Sequence, residues 1–320
     1  MNSGKTSAVA PAATESALAD DRCVDATASR QYRARIADYA IILKPRVMSL
    51  VVFTGFVGLM LAPATIAPSV GLMAILCIAL GAGASGAINM WYDRDIDCSM
   101  RRTMNRPIPA GRMPPAQALS VGVVLSVGSV LVMALEVNGV AAALLATTIL
   151  YYIFVYTIWL KRRTPQNIVI GGVAGALPPM IGWAAATGDV SWGSFSLFSI
   201  ILLWTPPHSW ALALFSKGDY ERAGVPMLPV VAGLRETKKQ IVAYTLLLVP
   251  ATLLPCALGV AGPVYGIAVA IMGGLFLWLT LRLWRETGDG GARRLFGYSI
   301  LYLFLIFVFL LVDRAALTFF

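Results

Sequence analysis

Charged side chains are scarce in this sequence. Of its 320 residues, 13% are Asp, Glu, Lys or Arg and 58% are hydrophobic, a balance that excludes an ordinary soluble domain of this length. Histidine occurs once, and the four cysteines lack the CxxC spacing of zinc sites, so no zinc centre is indicated. Long apolar runs are present instead, and they are typical of a polytopic membrane protein.

Nine apolar stretches have the length of membrane-spanning helices, each of which needs about 20 residues. Most connections between the stretches are short, so the spans should pack as antiparallel neighbours in one unit. We therefore predict an all-α bundle of nine transmembrane helices. The stretches lie near residues 41–62, 68–92, 116–135, 139–160, 167–187, 194–215, 239–260, 263–284 and 295–313.

The net charge of +9 raises the question of a nucleic-acid partner, but the positions of the basic residues indicate a membrane topology instead. If the N-terminus is cytoplasmic, every Lys and Arg except Arg314 lies on the cytoplasmic side, as the positive-inside rule requires. These residues are also placed to meet anionic lipid headgroups. We expect membrane lipids and no nucleic acid as partners, and chemistry on charged substrates at the cytoplasmic face.

The first 37 residues are rich in Ala, Ser, Thr and Asp and contain no apolar core. We predict a disordered cytoplasmic tail at 1–37, followed by the membrane domain at 38–320. Acidic residues in the tail, such as Glu15 and Asp20, argue against a mitochondrial transit peptide. A bacterial inner (plasma) membrane, with the active site toward the cytoplasm, is the expected location.

Two carboxylates and an amide follow one another at four-residue intervals where the second apolar stretch ends. On a helix, Asn89, Asp93 and Asp97 form one polar stripe at the cytoplasmic rim, while Asp95 points elsewhere. Acids at a helix C-terminus are unfavourable without a cation, and Mg²⁺ is commonly held by one or two carboxylates while it bridges phosphates. We predict a catalytic metal site formed by Asn89, Asp93 and Asp97.

Basic residues near this stripe suit the oxygens of a diphosphate. Arg101, Arg102 and Arg106 follow the acids directly, and guanidinium groups match phosphate oxygens well. The alternative is an ordinary solvated loop whose charges pair with one another. Lys161, which ends the fourth stretch, is a further diphosphate contact or a topological anchor.

A second cytoplasmic segment repeats the mixture of acid and base. Asp219 is a candidate catalytic residue, and Lys217 and Arg222 are candidate diphosphate ligands that would close over the substrate from the opposite side. Taken alone, Asp219 and Arg222 are also consistent with a surface ion pair at i, i+3.

His208, the single histidine, lies inside the sixth stretch after Pro206 and Pro207. An ionisable residue at membrane depth is a functional candidate. The alternative is structural, because the two prolines free backbone carbonyls that an imidazole can bond.

The string N-x-x-x-D-x-x-x-D at Asn89, Asp93 and Asp97 resembles the first aspartate motif of the UbiA superfamily of intramembrane prenyltransferases. Further segments resemble one branch of it, the protoheme IX farnesyltransferase family, in the same order along the chain. These segments are LKPRV at 43–47, RDIDCSMRRTMNRPIPAGR at 94–112, YTIWLKRRTPQNIVIGG at 156–172, WTPPHSWALAL at 204–214 and DYERAGVPMLP at 219–229.

The resemblance implies a Mg²⁺-dependent transfer of a farnesyl group from farnesyl diphosphate to a vinyl group of heme B, with addition of water, to give heme O. It implies that His208 binds heme by ligating the heme iron, and the structural role described above for His208 stays open. It also implies that the product passes to a heme A synthase or to terminal oxidase assembly. The second acidic segment departs from the paired acids of other prenyltransferases, because Ala223 stands four residues after Asp219.

Two other functions remain open from the sequence. One is a prenyltransferase with the same diphosphate site that acts on a quinone or chlorophyll precursor. The other is a secondary transporter that uses Asp93 and Asp97 for ion coupling, although such sites generally lie near the bilayer midplane rather than at the rim.

Overall fold

The computed structural model describes residues 33–319, with side chains up to residue 316. Within that range the chain is helical and contains no strand, which confirms the all-α prediction. The predicted tail at 1–37 lies mostly outside the described residues, and the first helix within the described residues begins at Ile36.

The helices follow one another with short connections. They are α1 (Ile36–Ile42), α2 (Pro45–Leu61), α3 (Pro68–Tyr92), α4 (Arg94–Ser99), α5 (Pro115–Glu136), α6 (Gly139–Leu150), a π-helical continuation of α6 (Tyr151–Leu160), α7 (Asn167–Ala176), α8 (Pro178–Thr187), α9 (Trp192–Phe215), α10 (Lys217–Arg222), α11 (Leu228–Val231), α12 (Gly233–Ala251), α13 (Leu254–Ala257), α14 (Pro263–Arg285) and α15 (Gly290–Phe319).

Eight spans within the described residues are long and apolar enough to cross a membrane, and the bent pair α1–α2 makes nine if it counts as one span. Their large exposed side chains are predominantly apolar, as a lipid-facing surface requires. The protein is therefore a multi-pass membrane protein. Helix α9 packs against α7, α12 and α15, and α2 packs against α8 and α15, so these helices surround the centre of the bundle.

The first predicted span, 41–62, is not one continuous helix. α1 and α2 meet at an angle of 54°, and Lys44 between them has a left-handed backbone with φ 53° and ψ 53°. The following residue, Pro45, explains the break, because a proline disfavours the right-handed helical conformation in the residue before it and is well suited to the first turn of the next helix. The bend turns the Lys44 side chain toward α3.

The end of the fourth span widens from an α-helix into a π-helix at Tyr151–Leu160, and its last turn is closed by the bond from Lys161 N to Tyr156 O at 2.9 Å. Extended π-helical segments are rare and occur frequently at functional sites. Here the wider turns direct Tyr152 and Tyr156 into a cavity and Thr157 toward α3.

Helices α2 and α8 touch through their backbones. A Cβ atom on Gly58 would lie 2.1 Å from the carbonyl oxygen of Pro179, and one on Gly182 would lie 1.9 Å from the carbonyl oxygen of Gly55. Small residues at such crossings are the usual basis of close helix packing in membranes. This contact fixes the position of α2 and therefore one wall of the central cavity.

Substituting Gly58 or Gly182 by Ala should lower the free energy of unfolding by about 1–3 kcal/mol, because the added methyl group meets backbone that cannot move aside. Gly128→Ala is the matched control, since a Cβ atom there has no neighbour within 4 Å. Unfolding of the detergent-solubilised protein by heat or by SDS measures the difference. A Gly58→Ala protein as stable as the control would contradict the backbone contact.

Candidate active site

The end of α3 and the short helix α4 carry the acidic stripe. The chain continues helically through the junction, because Asp93 N donates to Asn89 O and Asp97 N donates to Asp93 O, both at 2.9 Å. Asn89, Asp93 and Asp97 therefore follow one another on successive turns. All three are buried, with 4%, 0% and 2% of their surface exposed. The sequence suggested an open rim, but the structure encloses the acids.

Asp93 lies at the centre of the charged cluster. Lys161, at the end of the π-helical segment, forms an ion pair with its Oδ2 atom. Its Oδ1 atom lies 3.6 Å from a guanidinium nitrogen of Arg162 and accepts no hydrogen bond. A fully buried carboxylate therefore has one oxygen committed to Lys161 and one that is available to a cation.

Asp97 is held by the loop that follows it. Its Oδ2 atom accepts a hydrogen bond of 2.6 Å from Arg106, and its backbone carbonyl accepts one of 2.9 Å from the hydroxyl of Thr103. Arg106 is thus brought to the acids, as a diphosphate-binding role requires. Arg101, by contrast, is exposed on the same loop.

Asn89 connects three elements. Its amide oxygen accepts a hydrogen bond of 2.7 Å from Lys44, and its amide nitrogen donates to Asp93 Oδ2 at 2.7 Å and to Thr157 Oγ1 at 3.2 Å. In this arrangement Asn89 orients the Asp93 carboxylate. Gly86, one turn earlier, leaves room for the Lys44 side chain, because a Cβ atom there would lie 3.3 Å from Lys44 Cδ.

Two members of this cluster were missing from the sequence-based set. Lys44 precedes Pro45, and that position predicts a helix break rather than a contact with α3. Thr157 is the single threonine in the run 151–160, which is otherwise aliphatic or aromatic, and its small hydroxyl side chain is the signal that would have indicated a buried polar partner.

Asp95 points away from the stripe, as predicted, and 59% of its side chain is exposed, but it also has a partner. Arg162 donates to both of its oxygens at 2.7 Å and also lies over the ring of Tyr92, 4.9 Å from the centroid. Burial raises the pKa of Asp95, but the hydrogen bond and charge of Arg162 outweigh that effect and the pKa lies below its usual value. This pair holds the end of the π-helical segment against α4.

The second acidic segment, α10, packs against the first. Its buried Tyr220 lies in an apolar cluster with Ile96 and Met100 from the α4 region. Burial raises the pKa of Tyr220, so its hydroxyl stays protonated, and the guanidinium of Arg102 lies beside it. Arg102 therefore bridges the two cytoplasmic segments.

The charged residues predicted in α10 pair locally. Arg222 pairs with Asp219 three residues earlier, and Lys217 pairs with Glu221 at 3.1 Å. These are the surface ion pairs that the sequence allowed as an alternative. The structure brings Asn89, Asp93, Asp97, Arg106 and Lys161 together, and it places Lys217, Asp219 and Arg222 on the adjoining segment.

An apolar central cavity of about 310 Å³ lies among α2, the π-helical segment, α7 and α9. Tyr152 and Tyr156 line it, and Tyr156 precedes the Thr157 that contacts Asn89, so the cavity adjoins the acidic cluster. Gly175 and Tyr152 also line a second cavity of about 160 Å³, which extends the space toward Ile181.

His208 lies in the wall of the central cavity with its ring between two others. The ring centroid of Trp204 is 4.2 Å away and that of Phe296 is 4.7 Å away. The Nδ1 atom lies 2.7 Å from the hydroxyl oxygen of Ser299, and that hydroxyl donates to Phe296 O at 2.7 Å. Because the Ser299 hydroxyl donates its proton to Phe296 O, it accepts the hydrogen bond from His208. Nδ1 therefore carries the proton, and the lone pair of the imidazole is on Nε2.

This partner differs from the structural role that the sequence suggested for His208. The imidazole bonds a side chain of α15 rather than a carbonyl freed by Pro206 or Pro207. A histidine whose Nδ1–H is held by a neighbour and whose Nε2 is free has the arrangement found in metal-binding histidines.

Solved structures share this fold at low sequence identity. A digeranylgeranylglyceryl phosphate synthase aligns with a TM-score of 0.73 and 19% identity over 87% of this chain and 98% of its own. A UbiA homolog from Archaeoglobus fulgidus bound to GPP and Mg²⁺ aligns with a TM-score of 0.59 and 16% identity over 85% and 99%.

Other known proteins resemble this chain much more closely in sequence. A curated relative, the protoheme IX farnesyltransferase of Parvibaculum lavamentivorans, is 63% identical over 281 residues, which cover 87% of this chain and 88% of the relative. Residues 51–310 match the UbiA prenyltransferase family. With its acidic stripe at the mouth of an apolar helix bundle, this chain belongs to the UbiA prenyltransferase family.

Proposed function

We propose that this protein transfers the farnesyl group of farnesyl diphosphate to a vinyl group of heme B, with addition of water, and so forms heme O. One observation carries the proposal: two buried carboxylates lie beside the π-helical segment that lines an apolar cavity, and the wall of that cavity contains the only histidine of the chain. The 63% identity with a protoheme IX farnesyltransferase supports the choice of heme as acceptor.

The acidic cluster suits Mg²⁺. Asp93 Oδ1 is buried and accepts no hydrogen bond, so it is available to a cation. The described residues contain no group of three or more His, Cys, Asp or Glu side chains that could hold a metal. Mg²⁺ does not need one, since one or two carboxylates and substrate phosphates commonly hold it. We assign this role to Asp93 and Asp97, with Asn89 orienting Asp93. Bound there, Mg²⁺ would supply positive charge for the leaving diphosphate.

The basic residues around the acids are placed to bind the diphosphate. Lys161 and Arg106 each contact a carboxylate, and Lys44 contacts Asn89 between them. A diphosphate beside the acids therefore meets three basic side chains held in place by their neighbours, which is the preorganisation that stabilises developing charge. Arg102 adds a fourth from the loop.

Helix α10 forms the other wall of this site. We assign Tyr220 to the inner face, where it can donate a hydrogen bond to a phosphate oxygen, and place Lys217, Asp219, Arg222 and Arg101 at the entrance. The local ion pairs of α10 keep its charges near the opening.

The central cavity and its extension accommodate the farnesyl chain. Loss of diphosphate from an allylic carbon leaves a delocalised cation, which an apolar cavity protects from water. Tyr152 and Tyr156 line the part of the cavity next to the acids, where their π faces can stabilise the cation.

His208 is assigned as the residue that binds the heme iron through Nε2. Its position in the cavity wall brings the macrocycle, and hence a vinyl group, next to the allylic cation. We further place the N-terminus and the charged cluster on the cytoplasmic side of a bacterial inner membrane, from which heme O passes to a heme A synthase or a terminal oxidase.

The direct test is mass analysis of the product after purified protein in lipid is incubated with heme B, farnesyl diphosphate and Mg²⁺. Heme O is the expected product, and EDTA should prevent its formation. Recovery of unmodified heme B alone under these conditions would overturn the proposal, whereas a farnesylated quinone precursor in a parallel incubation would redirect it to another acceptor.

Asp93→Asn and Asp97→Asn should each lower turnover about 100-fold or more, because each removes a negative charge needed to hold the cation beside the leaving diphosphate. Asparagine keeps the shape of the buried side chain, which makes it a cleaner substitution than alanine at these enclosed positions. Initial rates of heme O formation measure the effect. Asp289→Asn, an exposed acid, is the control and should keep wild-type activity; wild-type rates in both site variants would exclude the acids from catalysis.

His208→Ala should weaken heme B binding about tenfold and change its Soret spectrum, because the iron loses a nitrogen ligand. Binding of farnesyl diphosphate, measured by calorimetry, should stay unchanged in the same variant. An unaltered heme spectrum would assign His208 to a structural role.

A further inference from the structure

A groove of about 470 Å³ separates α2 from α15 and lies beside the central cavity. On α2 its wall is made by Arg46, Leu50 and Phe53, which recur at the spacing of one helix face. On α15 it is made by Phe296, Ile300 and Phe304, again one face at intervals of four. The volume lies within the range of about 300–1,000 Å³ that small-molecule pockets occupy.

The groove has an aromatic floor and back wall. Phe53 and Phe304 close its far end, with ring centroids 5.1 Å apart. The back wall is the stack of Trp204, His208 and Phe296 described above. His208 therefore faces both the groove and the central cavity, which also share Val47 and Leu50.

The near end of the groove carries one positive charge. Arg46 lies in the first turn of α2, about 10.5 Å along the helix from Phe53 at 1.5 Å per residue. Its side chain is exposed and forms no ion pair with any described residue. No acidic side chain lines the groove. An apolar slot with a free imidazole nitrogen in its wall and a cation at its rim is complementary to a flat metal-containing macrocycle that carries carboxylates at one edge.

We infer that the groove between α2 and α15 is the binding site of the heme acceptor and that Arg46 pairs with a propionate carboxylate of the porphyrin. The inference rests on the proposed function and specifies the position and orientation of the acceptor. In this orientation the propionates lie at the cytoplasmic rim and the iron lies at His208. One edge of the porphyrin then faces the surrounding lipid, and the other edge faces the central cavity. The vinyl group then meets the allylic cation across the boundary that Val47 and Leu50 form.

The choice of heme over a bilayer lipid rests on the imidazole of His208 in the wall. An acyl chain cannot bond to the free Nε2 atom of His208, whereas heme iron can. The guanidinium of Arg46 forms no ion pair with a described residue and suits a propionate carboxylate as well as a lipid phosphate, so the porphyrin ester used in the test separates these two partners. A lipid in the groove would bind through its chain and leave heme binding independent of Arg46.

The test compares heme B with its dimethyl ester, which lacks the propionate charges, in Soret titrations of the full-length protein in lipid nanodiscs. Arg46→Gln should weaken heme B binding about tenfold and leave binding of the dimethyl ester at the wild-type value. Arg285→Gln, an exposed arginine without an ion pair, is the matched control and should bind both porphyrins as the wild type does. Equal losses for the two porphyrins, or no loss for either, would overturn the role of Arg46.

A second variant tests the groove itself. Ile300→Trp fills the groove from α15 without reaching the central cavity, so it should weaken binding of both porphyrins and leave farnesyl diphosphate binding intact. Wild-type heme affinity in Ile300→Trp would assign the groove to lipid and overturn the inference. Failure of the wild-type protein to bind heme B at all would instead overturn the proposed function, so the two failures are distinguishable.

Discussion

The ion pair between Asp93 and Lys161 is the interaction on which the cytoplasmic end of this protein depends. Asp93 has no exposed surface, and an isolated carboxylate in such a place is strongly unfavourable, so the fold must bring a cation to it. Lys161 lies at the end of the π-helical segment, which is thereby tied to the end of α3. The pair of Arg106 with the buried Asp97 extends the same principle to the loop after α4, and the pair of Arg162 with the exposed Asp95 adds a surface contact between the same segments.

This arrangement gives one set of residues two uses. Lys161 and Arg106, the cations that neutralise the buried acids, are also the groups that a diphosphate requires, and they are already oriented by hydrogen bonds. Directly beneath them the bundle becomes apolar, with the central cavity bounded by Tyr152, Tyr156 and small residues of α7. The charged head and the hydrophobic chain of one substrate thus meet matching environments within a short distance. The glycine-mediated contact of α2 with α8 holds the α2 wall of the central cavity in position.

Much of the fold was predictable because membrane spans depend on local composition. A run of about 20 apolar residues must form a helix in the bilayer, since its backbone has no other hydrogen-bond partners there. The predicted spans at 68–92 and 263–284 accordingly agree closely with α3 and α14. The bend at Lys44 and the π-helical turns were not predicted, since both depend on how a helix end meets its neighbours. The predicted span 41–62 was wrong in that respect.

The sequence by itself determined the helical class, the number of apolar stretches and the acidic stripe, because each follows from composition or from the period of a single helix. Only the tertiary structure decided which charges meet: Lys44 and Thr157 contact Asn89 across 45 and 68 residues of chain, and His208 faces Ser299 across 91. It also showed that Asp95 is paired and that the acids of α10 bond locally. Such contacts depend on the packing of helices that are distant in the chain, and the period of one helix carries no information about its partner.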